Sequence, residues 1–307
     1  MSKPMMVVVN PCSANGKTGK HWTDLNKALD EAGVNYDFTF TGGPKEATAI
    51  TRKALKEGHD TIVSIGGDGT LNEVINGFFE DGQLINPEAR LGVISCGTGG
   101  DFVKTAGIPK EHTKAAEILA RGQSKPIDIG RVIYTNHQGQ QESMYYINVV
   151  GLGIDGEIVE RVNRTTKAFG GFLSFFWGTI TTLASYQNRR VTIEIDGMVR
   201  YQGPILFAAV ANGQWFGGGM HVAPNARLDS GQFEVVIIKG HSKLRTIGNM
   251  PKLYKGTHVE IPEVICLRGN NVRAFSEERV LLDIDGEQPG RLNVELVLVP
   301  NALRLIC

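Results

Sequence analysis

The sequence predicts two domains: a doubly wound, mostly parallel α/β domain over residues 1–125, and an antiparallel β domain over residues 126–295. Three observations carry this. Apolar strand-like runs alternate with helical patterns through the first third of the chain, and that alternation implies parallel pairing with helices on both faces. After about Lys125 the apolar runs follow one another with little helix between them, as in antiparallel β proteins. The length, 307 residues, is generous for one core and comfortable for two.

In order along the first domain, "MMVVVN" reads as a strand. His21 to Ala32 reads as a helix, because Trp22, Leu25, Ala28, Leu29 and Ala32 recur at helical spacing. "VNYDFTFT" is a second strand. Pro44 to Glu57 is a helix, with proline at its start and Gly58 past its end. "DTIVSI" is a third strand, Leu71 to Phe79 a helix, and "RLGVIS" a fourth strand; Asp101 to Ala106 and Thr113 to Arg121 are further helical pieces. Strands buried on both faces explain continuous runs such as "VVV". In the second domain the strand candidates are "PIDIGRVIY", "SMYYINVVGLG", "RVTIEID", "PILFAAVANG", "FEVVIIKG", "VEIPEVICL" and "RVLLDID". Turn dipeptides Asp196-Gly197 and Asn212-Gly213 lie among them. Helical interruptions fall near Glu157 to Ser185 and Leu244 to Tyr254. The last segment, near 296–307, can complete either domain.

Composition excludes several classes. Lysine plus arginine and aspartate plus glutamate number 32 each, so the formal net charge is zero, and a general nucleic-acid binder is not expected. Cys12, Cys96, Cys266 and Cys307 are scattered and form no C-x-x-C pair, which argues against a disulfide framework or zinc site. The opening apolar run is too short for a signal-peptide core, and a reduced, cytoplasmic protein is expected. The uncharged stretch from Ala168 to Asn188 is diluted by glycine and polar residues. It reads as a buried or interface helix rather than a transmembrane span.

The candidate site begins at "GGDGT", Gly66 to Thr70, just beyond the third strand. In a doubly wound sheet ligands bind beyond the carboxyl ends of strands. Glycines without Cβ let backbone N–H groups approach a phosphate, and Thr70 can cap the following helix. Asp68 is the odd member, since a carboxylate repels phosphate unless a cation lies between them. A divalent metal, Mg²⁺, bridging Asp68 and phosphate oxygens accounts for it; a glycine-rich turn with Asp68 in an Asx-type bond is the other reading. The G-x-G-x-x-G pattern fails at Asn72, and "PCSANGKT" fails as a Walker A loop because Pro11 stands at its first glycine position. Yet "PCSANGKT", "GGDGT" and "SCGTGGDF" all follow parallel strands at one sheet edge, and that convergence favours a phosphate site.

Together "NPCSANGK", "GGDGTLNE" and "CGTGGDFVKTAGIP" resemble the bacterial diacylglycerol kinase family of lipid kinases, related to sphingosine kinases. "NVVGLGIDGEIV", "GGGMHVAPNARLDSGQFEVVII" and "LDIDGEQPG" match later family segments in order. "GGDGT" by itself also occurs in NAD kinases. The resemblance implies an α/β domain and a β-sandwich domain with ATP in the cleft between them. It implies nucleotide contacts from Asn10, Pro11, Cys12, Ser13 and Ala14, from Thr41, from Gly66, Gly67, Asp68, Gly69, Thr70, Leu71 and Asn72, and from Thr98. It also implies that Glu287 is the proton acceptor. A second, structural Mg²⁺ site would fall in "RLDSGQ", where the carbonyls of Arg227 and Gln232 flank an aspartate in the family. Here Ser230 takes that place and Asp229 comes one residue earlier, a departure that counts against the site. Gly100 stands where the family usually has asparagine, which would loosen the third loop.

Read by residue pattern, "LLDIDGEQPG" alternates Asp283, Asp285 and Glu287 with Leu282, Ile284 and Gly286. Period two places three carboxylates on one strand face; the alternative is that Asp285-Gly286 begins a hairpin turn with solvated acids. Phosphoryl transfer needs a carboxylate to orient an acceptor hydroxyl and take its proton, so Glu287 is expected as base, assisted by Asp285, with Asp68 placing Mg²⁺ across one gap. The expected activity is ATP-dependent transfer to the hydroxyl of diacylglycerol or a related lipid. The alternatives are an NAD kinase-like phosphotransferase and a nucleotide-binding regulator without catalysis. Lys239, Lys243, Arg245, Lys252 and Lys255, with no acidic residue from Ile237 to His258, suit an anionic membrane surface or a solvated helix face. "FGGFLSFFWG" suits an acyl-chain pocket or ordinary core. Oligomeric state is not set by the sequence, a homodimer included.

Overall fold

The computed structural model describes residues 3–97, 99–165, 182–183, 185–240 and 242–307. The chain divides into two compact units, residues 1–129 with 300–307, and residues 130–299.

In the first unit, β1 (Met5–Val9) leads through α1 (Ser13–Lys20) and α2 (Trp22–Glu31) to β2 (Tyr36–Phe40); α3 (Glu46–Lys56) leads to β3 (Thr61–Gly66). After α4 (Asp68–Gly77), a short hairpin of β4 (Phe79–Glu80) and β5 (Gln83–Leu84) precedes β6 (Arg90–Ser95). Helices α5 (Asp101–Ala106) and α6 (His112–Arg121) follow. Strands β2, β1, β3 and β6 lie side by side and all parallel. The end of the chain joins them: Arg304 and Leu305 pair parallel with Arg90 and Leu91. Val7, Val8, Val9, Ile62, Val63, Ile65 and Leu91 are buried, because helices cover both faces of such a sheet. Helix α2 turns Leu25, Ala28 and Leu29 inward at helical spacing, and α6 does so with Ala115, Ala116 and Leu119. Helix α3 starts two residues later than proline predicts, since Lys45 is left-handed at φ 67°.

Strand β7 (Ser124–Asn136) runs from the first unit into the second. There β8 (Gln141–Tyr146) and β9 (Val149–Gly153) divide what reads as one strand in sequence. Helix α7 (Ile154–Thr165), β10 (Arg189–Ile195), β11 (Met198–Ala211) and β12 (Phe233–Lys239) come next. Then come α8 (Lys243–Lys255), a 3₁₀ turn at Thr257–Glu260, β13 (Val264–Gly269), β14 (Asn271–Phe275), β15 (Leu282–Ile284) and β16 (Gly290–Ile306). Pairing within the unit is antiparallel: β10 lies between β11 and β14, β14 pairs β16, β11 pairs β12 and β9, β12 pairs β13, and β9 pairs β15. The two layers close over Val150, Leu152, Val191, Ile193, Val235, Ile237, Val272 and Leu296, the core of a β-sandwich. "VEIPEVICL" yields a strand only from Val264, because Pro262 has no N–H to give a ladder.

No helix among the described residues is long and apolar enough to cross a membrane. The stretch "FGGFLSFFWG" and Thr98, both singled out in sequence, lie outside the described residues.

Candidate functional site

In the first unit, three loops at the carboxyl ends of β1, β3 and β6 lock onto one another. Asn10 Nδ2 donates to Thr70 Oγ1 at 3.0 Å, tying the first loop to the second. The Cys96 N–H donates to the Gly66 carbonyl at 2.7 Å, tying the second to the third. Gly67 and Gly97 touch without side chains: a Cβ on Gly97 would lie 2.9 Å from the Gly67 Cα. The first loop is folded by Asn10 itself, whose Oδ1 accepts the Cys12 N–H at 3.0 Å and whose carbonyl accepts Ser13 Oγ at 2.9 Å. Ala14, Asn15 and Gly16 then take left-handed conformations in succession (φ 52°, 57° and 80°). For alanine that region is costly, of order 1 kcal/mol or more. Thr41 is buried at the end of β2, its N–H on the Val9 carbonyl at 2.8 Å.

Helix α4 begins at Asp68, three residues earlier than expected. Gly67, extended, is its N-cap, and its carbonyl accepts the Leu71 N–H at 3.1 Å. Thr70 therefore sits inside the first turn, bonded to Asn10 rather than capping. Glu73, within the quoted "GGDGTLNE" yet not expected to matter, has a clear task. Its carboxylate accepts the N–H groups of Lys45 and Ala47, at 2.9 and 3.2 Å, and so caps α3 from a neighbouring helix.

Asp68 is half-buried at the start of α4, facing the start of α5. Its two oxygens accept the N–H groups of Asp101 and Phe102, at 3.2 and 3.3 Å, so it caps the helix after the third loop. Burial, and then the neighbouring Asp101 charge, push its carboxyl above the usual range; the two N–H groups and Lys110 pull the other way. Asp101 is held by Lys104 Nζ at 2.8 Å. Each Asp68 oxygen keeps a lone pair beyond the N–H it accepts, and carboxylate oxygens are donors that suit a hard divalent cation. Gly100 is left-handed (φ 53°, ψ 49°), a conformation that asparagine also tolerates. A Cβ there would stand 2.8 Å from Ser95 Oγ and 2.9 Å from Lys110 Cε. Glycine thus lets Lys110 pack down and donate to the Gly99 carbonyl at 2.6 Å, which pins the third loop rather than loosening it.

In the second unit, the acidic segment does not present three carboxylates on one strand face. Strand β15 ends at Ile284, and Asp285 and Gly286 both have positive φ, 49° and 93°. Ile284 and Glu287 exchange both backbone hydrogen bonds, at 2.8 and 3.0 Å, around a two-residue hairpin turn. Turn chemistry overrides alternation, and the three acids meet different surroundings. Asp283 is buried and its Oδ1 accepts the Gly286 N–H at 2.7 Å. Asp285 accepts three N–H groups, from Ile147 at 2.9 Å, Asn148 at 3.1 Å and Val149 at 3.0 Å. Its carboxylate ties the turn to the β8–β9 connection. Glu287 is exposed just past the turn.

The segment Arg227 to Gln232 is closed on itself. Ser230 Oγ lies 3.3 Å from the Arg227 carbonyl and 2.7 Å from that of Gln232, so the hydroxyl takes the place between the two carbonyls. Asp229 Oδ1 lies 3.1 Å from Arg227 Nε. With a neutral donor between the carbonyls and the carboxylate paired to arginine, these residues do not fit a second cation. Among the described residues no group of three or more His, Cys, Asp or Glu is arranged to hold a metal.

Residues 4–132 match the family model described as diacylglycerol kinase catalytic domain. Residues 148–307 match the model described as YegS C-terminal NAD kinase beta sandwich-like domain. A diacylglycerol kinase of Bacillus subtilis (strain 168) is 31% identical over 296 residues, covering 96% of this chain and 93% of its own length. One from Staphylococcus carnosus (strain TM300) is 30% identical over 293 residues, covering 95% of this chain and 91% of its own. Among solved structures, a diacylglycerol kinase from Bacillus anthracis str. Sterne superposes with a TM-score of 0.72 at 20% identity, over 99% of this chain and 96% of that one. An NAD kinase from Archaeoglobus fulgidus, in complex with ATP, gives a TM-score of 0.50 at 12% identity, over 99% and 93%. Likenesses at these identities speak to the fold alone.

Proposed function

The chain belongs to the diacylglycerol kinase family, and from that premise we propose that it transfers the γ-phosphate of ATP to a lipid hydroxyl, that of diacylglycerol or a related lipid. The observation that carries the reading is the locking of three loops around Asp68 at the carboxyl ends of parallel strands, where nucleotide phosphates bind in such sheets.

In this reading the backbone from Asn10 to Ala14 and from Gly66 to Asn72, with Thr41 beside them, holds and orients the nucleotide. Thr98 belongs to the same set by family position. Asp68 would hold Mg²⁺, which when bound neutralises charge on the phosphate oxygens. Glu287, exposed beyond a rigid turn, takes the proton of the acceptor hydroxyl. Asp285 does not share that step directly, because its carboxylate is spent on three backbone N–H groups; it positions the turn. Metaphosphate-like transfer needs little more than alignment and charge neutralisation, which suits the backbone N–H groups and the Asp68 carboxylate of the three loops.

The membrane side of the reading draws on α8. Leu244 and Ile247 are 84% and 53% exposed on this helix, which also carries Lys243, Lys252 and Lys255. Arg245 is paired with Glu263 at 2.6 Å. An apolar pair flanked by lysines suits the surface of an anionic bilayer.

The test is transfer of labelled γ-phosphate to a panel of lipid and soluble alcohols, with Glu287→Gln as control. The wild type labels a lipid alcohol in mixed micelles. The variant binds ATP and transfers at least about a hundredfold more slowly, the scale of a lost general base. Near-normal turnover by the variant refutes the role of Glu287. Labelling of a soluble dinucleotide in preference to lipids refutes the acceptor.

A further inference from the structure

Asp155, at the start of α7, has no part in the reading so far. It is 5% exposed, and among the described residues neither carboxyl oxygen has a well-formed hydrogen bond; only its own and the Gly156 backbone N–H groups lie near it. Its seat is made by an absent side chain: a Cβ on Gly151 would lie 1.5 Å from Asp155 Oδ2. Gly151 in turn stands directly opposite Asp283 across the β9–β15 ladder. Directly opposed residues send their side chains to the same face, about 5 Å apart at Cβ. The carboxyl of Asp155 therefore occupies the space beside that of Asp283, which is also 5% exposed.

Two carboxylates cannot both stay charged in one dry space, and one proton is retained between them. The partners of each acid say where it resides. Asp283 accepts the Gly286 N–H at 2.7 Å and is the better carboxylate; Asp155, near only the poorly placed N–H groups of its own residue and Gly156, is the better acid. Burial, and then the Asp283 charge, hold Asp155 well above the usual carboxylate range. Burial, with the charges of Asp285 and Glu287, pushes Asp283 up to about 7. Among the described residues Tyr186 also stands against Asp155, and its hydroxyl is likewise buried without a partner among them. Glu157, Glu278 and Arg189 stand around Tyr186, and Arg189 bridges the two glutamates at 3.5 Å each.

We infer that Asp155 is a positioning residue, which shares one proton with Asp283 and thereby holds the turn that presents Glu287. The line of force is short. The protonated Asp155 donates to Asp283, Asp283 takes the Gly286 N–H, and Gly286 precedes Glu287. The catalytic consequence rests on Glu287 as base, whereas the proton sharing does not.

Three measurements on the full chain test it. At neutral pH the wild type shows a protonated-carboxyl C=O band in the infrared, moved by D₂O and absent in Asp155→Asn. Asp155→Ala speeds amide exchange in residues 283–290 and lowers kcat, with KM for ATP unchanged, on the order of a hundredfold for a misplaced base. Asp155→Asn, whose amide donates without a titrating proton, restores slow exchange and most of kcat, and its alkaline limb moves to higher pH. A wild type without such a band, or Asp155→Asn falling as far as Asp155→Ala, overturns the inference. If Asp155→Ala does not fold, the band and the asparagine variant decide. If no alcohol is phosphorylated, the kinase reading fails, while the band and the exchange rates still judge the proton sharing.

Discussion

Replacing Asp285 should cost far more stability than its half-exposed position suggests. The carboxylate accepts N–H groups from three consecutive residues, Ile147, Asn148 and Val149, at 2.9, 3.1 and 3.0 Å. Hydrogen bonds to a charged group contribute about 1.5–3 kcal/mol each, and partial exposure argues for the low end, so Asp285→Ala loses about 4 kcal/mol from these bonds. Alanine at φ 49° adds about 1 kcal/mol of backbone cost. The total is near 5 kcal/mol. Asparagine tolerates the left-handed region and keeps one acceptor oxygen, enough for Asn148 and Val149 but not for Ile147, and should cost about 1.5–2 kcal/mol. Glycine relieves the backbone but supplies no acceptor, and should cost about 4 kcal/mol. Urea unfolding gives the order Ala, Gly, Asn from worst to best, and amide exchange at 147–149 slows in the same order. If the glycine variant is as stable as the wild type, φ rather than the carboxylate dictates the residue. If alanine costs less than about 1 kcal/mol, the three bonds are not charge-assisted as argued.

Three further outcomes are expected. Cys12 is exposed while burial raises the Cys96 thiol, so a thiol reagent should modify Cys12 first, and MgATP should slow that reaction; modification unaffected by MgATP would argue against Cys12 lying in a nucleotide loop. Without nucleotide, the wild-type Tm should be the same in MgCl₂ as in EDTA at matched ionic strength, whereas Ser230→Asp, which puts a carboxylate between two carbonyls, should gain a Mg²⁺-dependent rise; a rise in the wild type that Ser230→Ala removes would refute the metal-free loop. Binding to anionic vesicles should weaken with salt and fall when Lys252 and Lys255 are both made glutamate, by about 1 kcal/mol per lysine before reversal is counted; no vesicle binding at low salt would refute α8 as the contact.

What was legible in the sequence follows the range of the forces concerned. Strands such as "VVV" and "IVSI" announce themselves because a sheet covered on both faces needs unbroken apolar runs, and the three loops after them follow from the sheet's own rule for ligand sites. β14 escaped notice because only Val272 and Ala274 of Asn271–Phe275 are buried, too weak an alternation to stand out. At Asp283 to Glu287 two local signals competed, period two against an Asp-Gly turn, and the turn prevailed because both residues can take positive φ and Asp285 is tied down by three remote N–H groups. The third loop read as loosened at Gly100, yet the missing side chain is what admits Lys110. Asp155 lay beyond any such reading. Its neighbour is chosen by strand register and its seat by a glycine, and neither is visible until β9 and β15 are paired. Local chemistry thus wrote the three glycine-rich loops into the sequence, while the acids that shape the turn before Glu287 are defined only by the tertiary fold. Errors in a sequence-based site should therefore concentrate where carboxylates meet through sheet pairing.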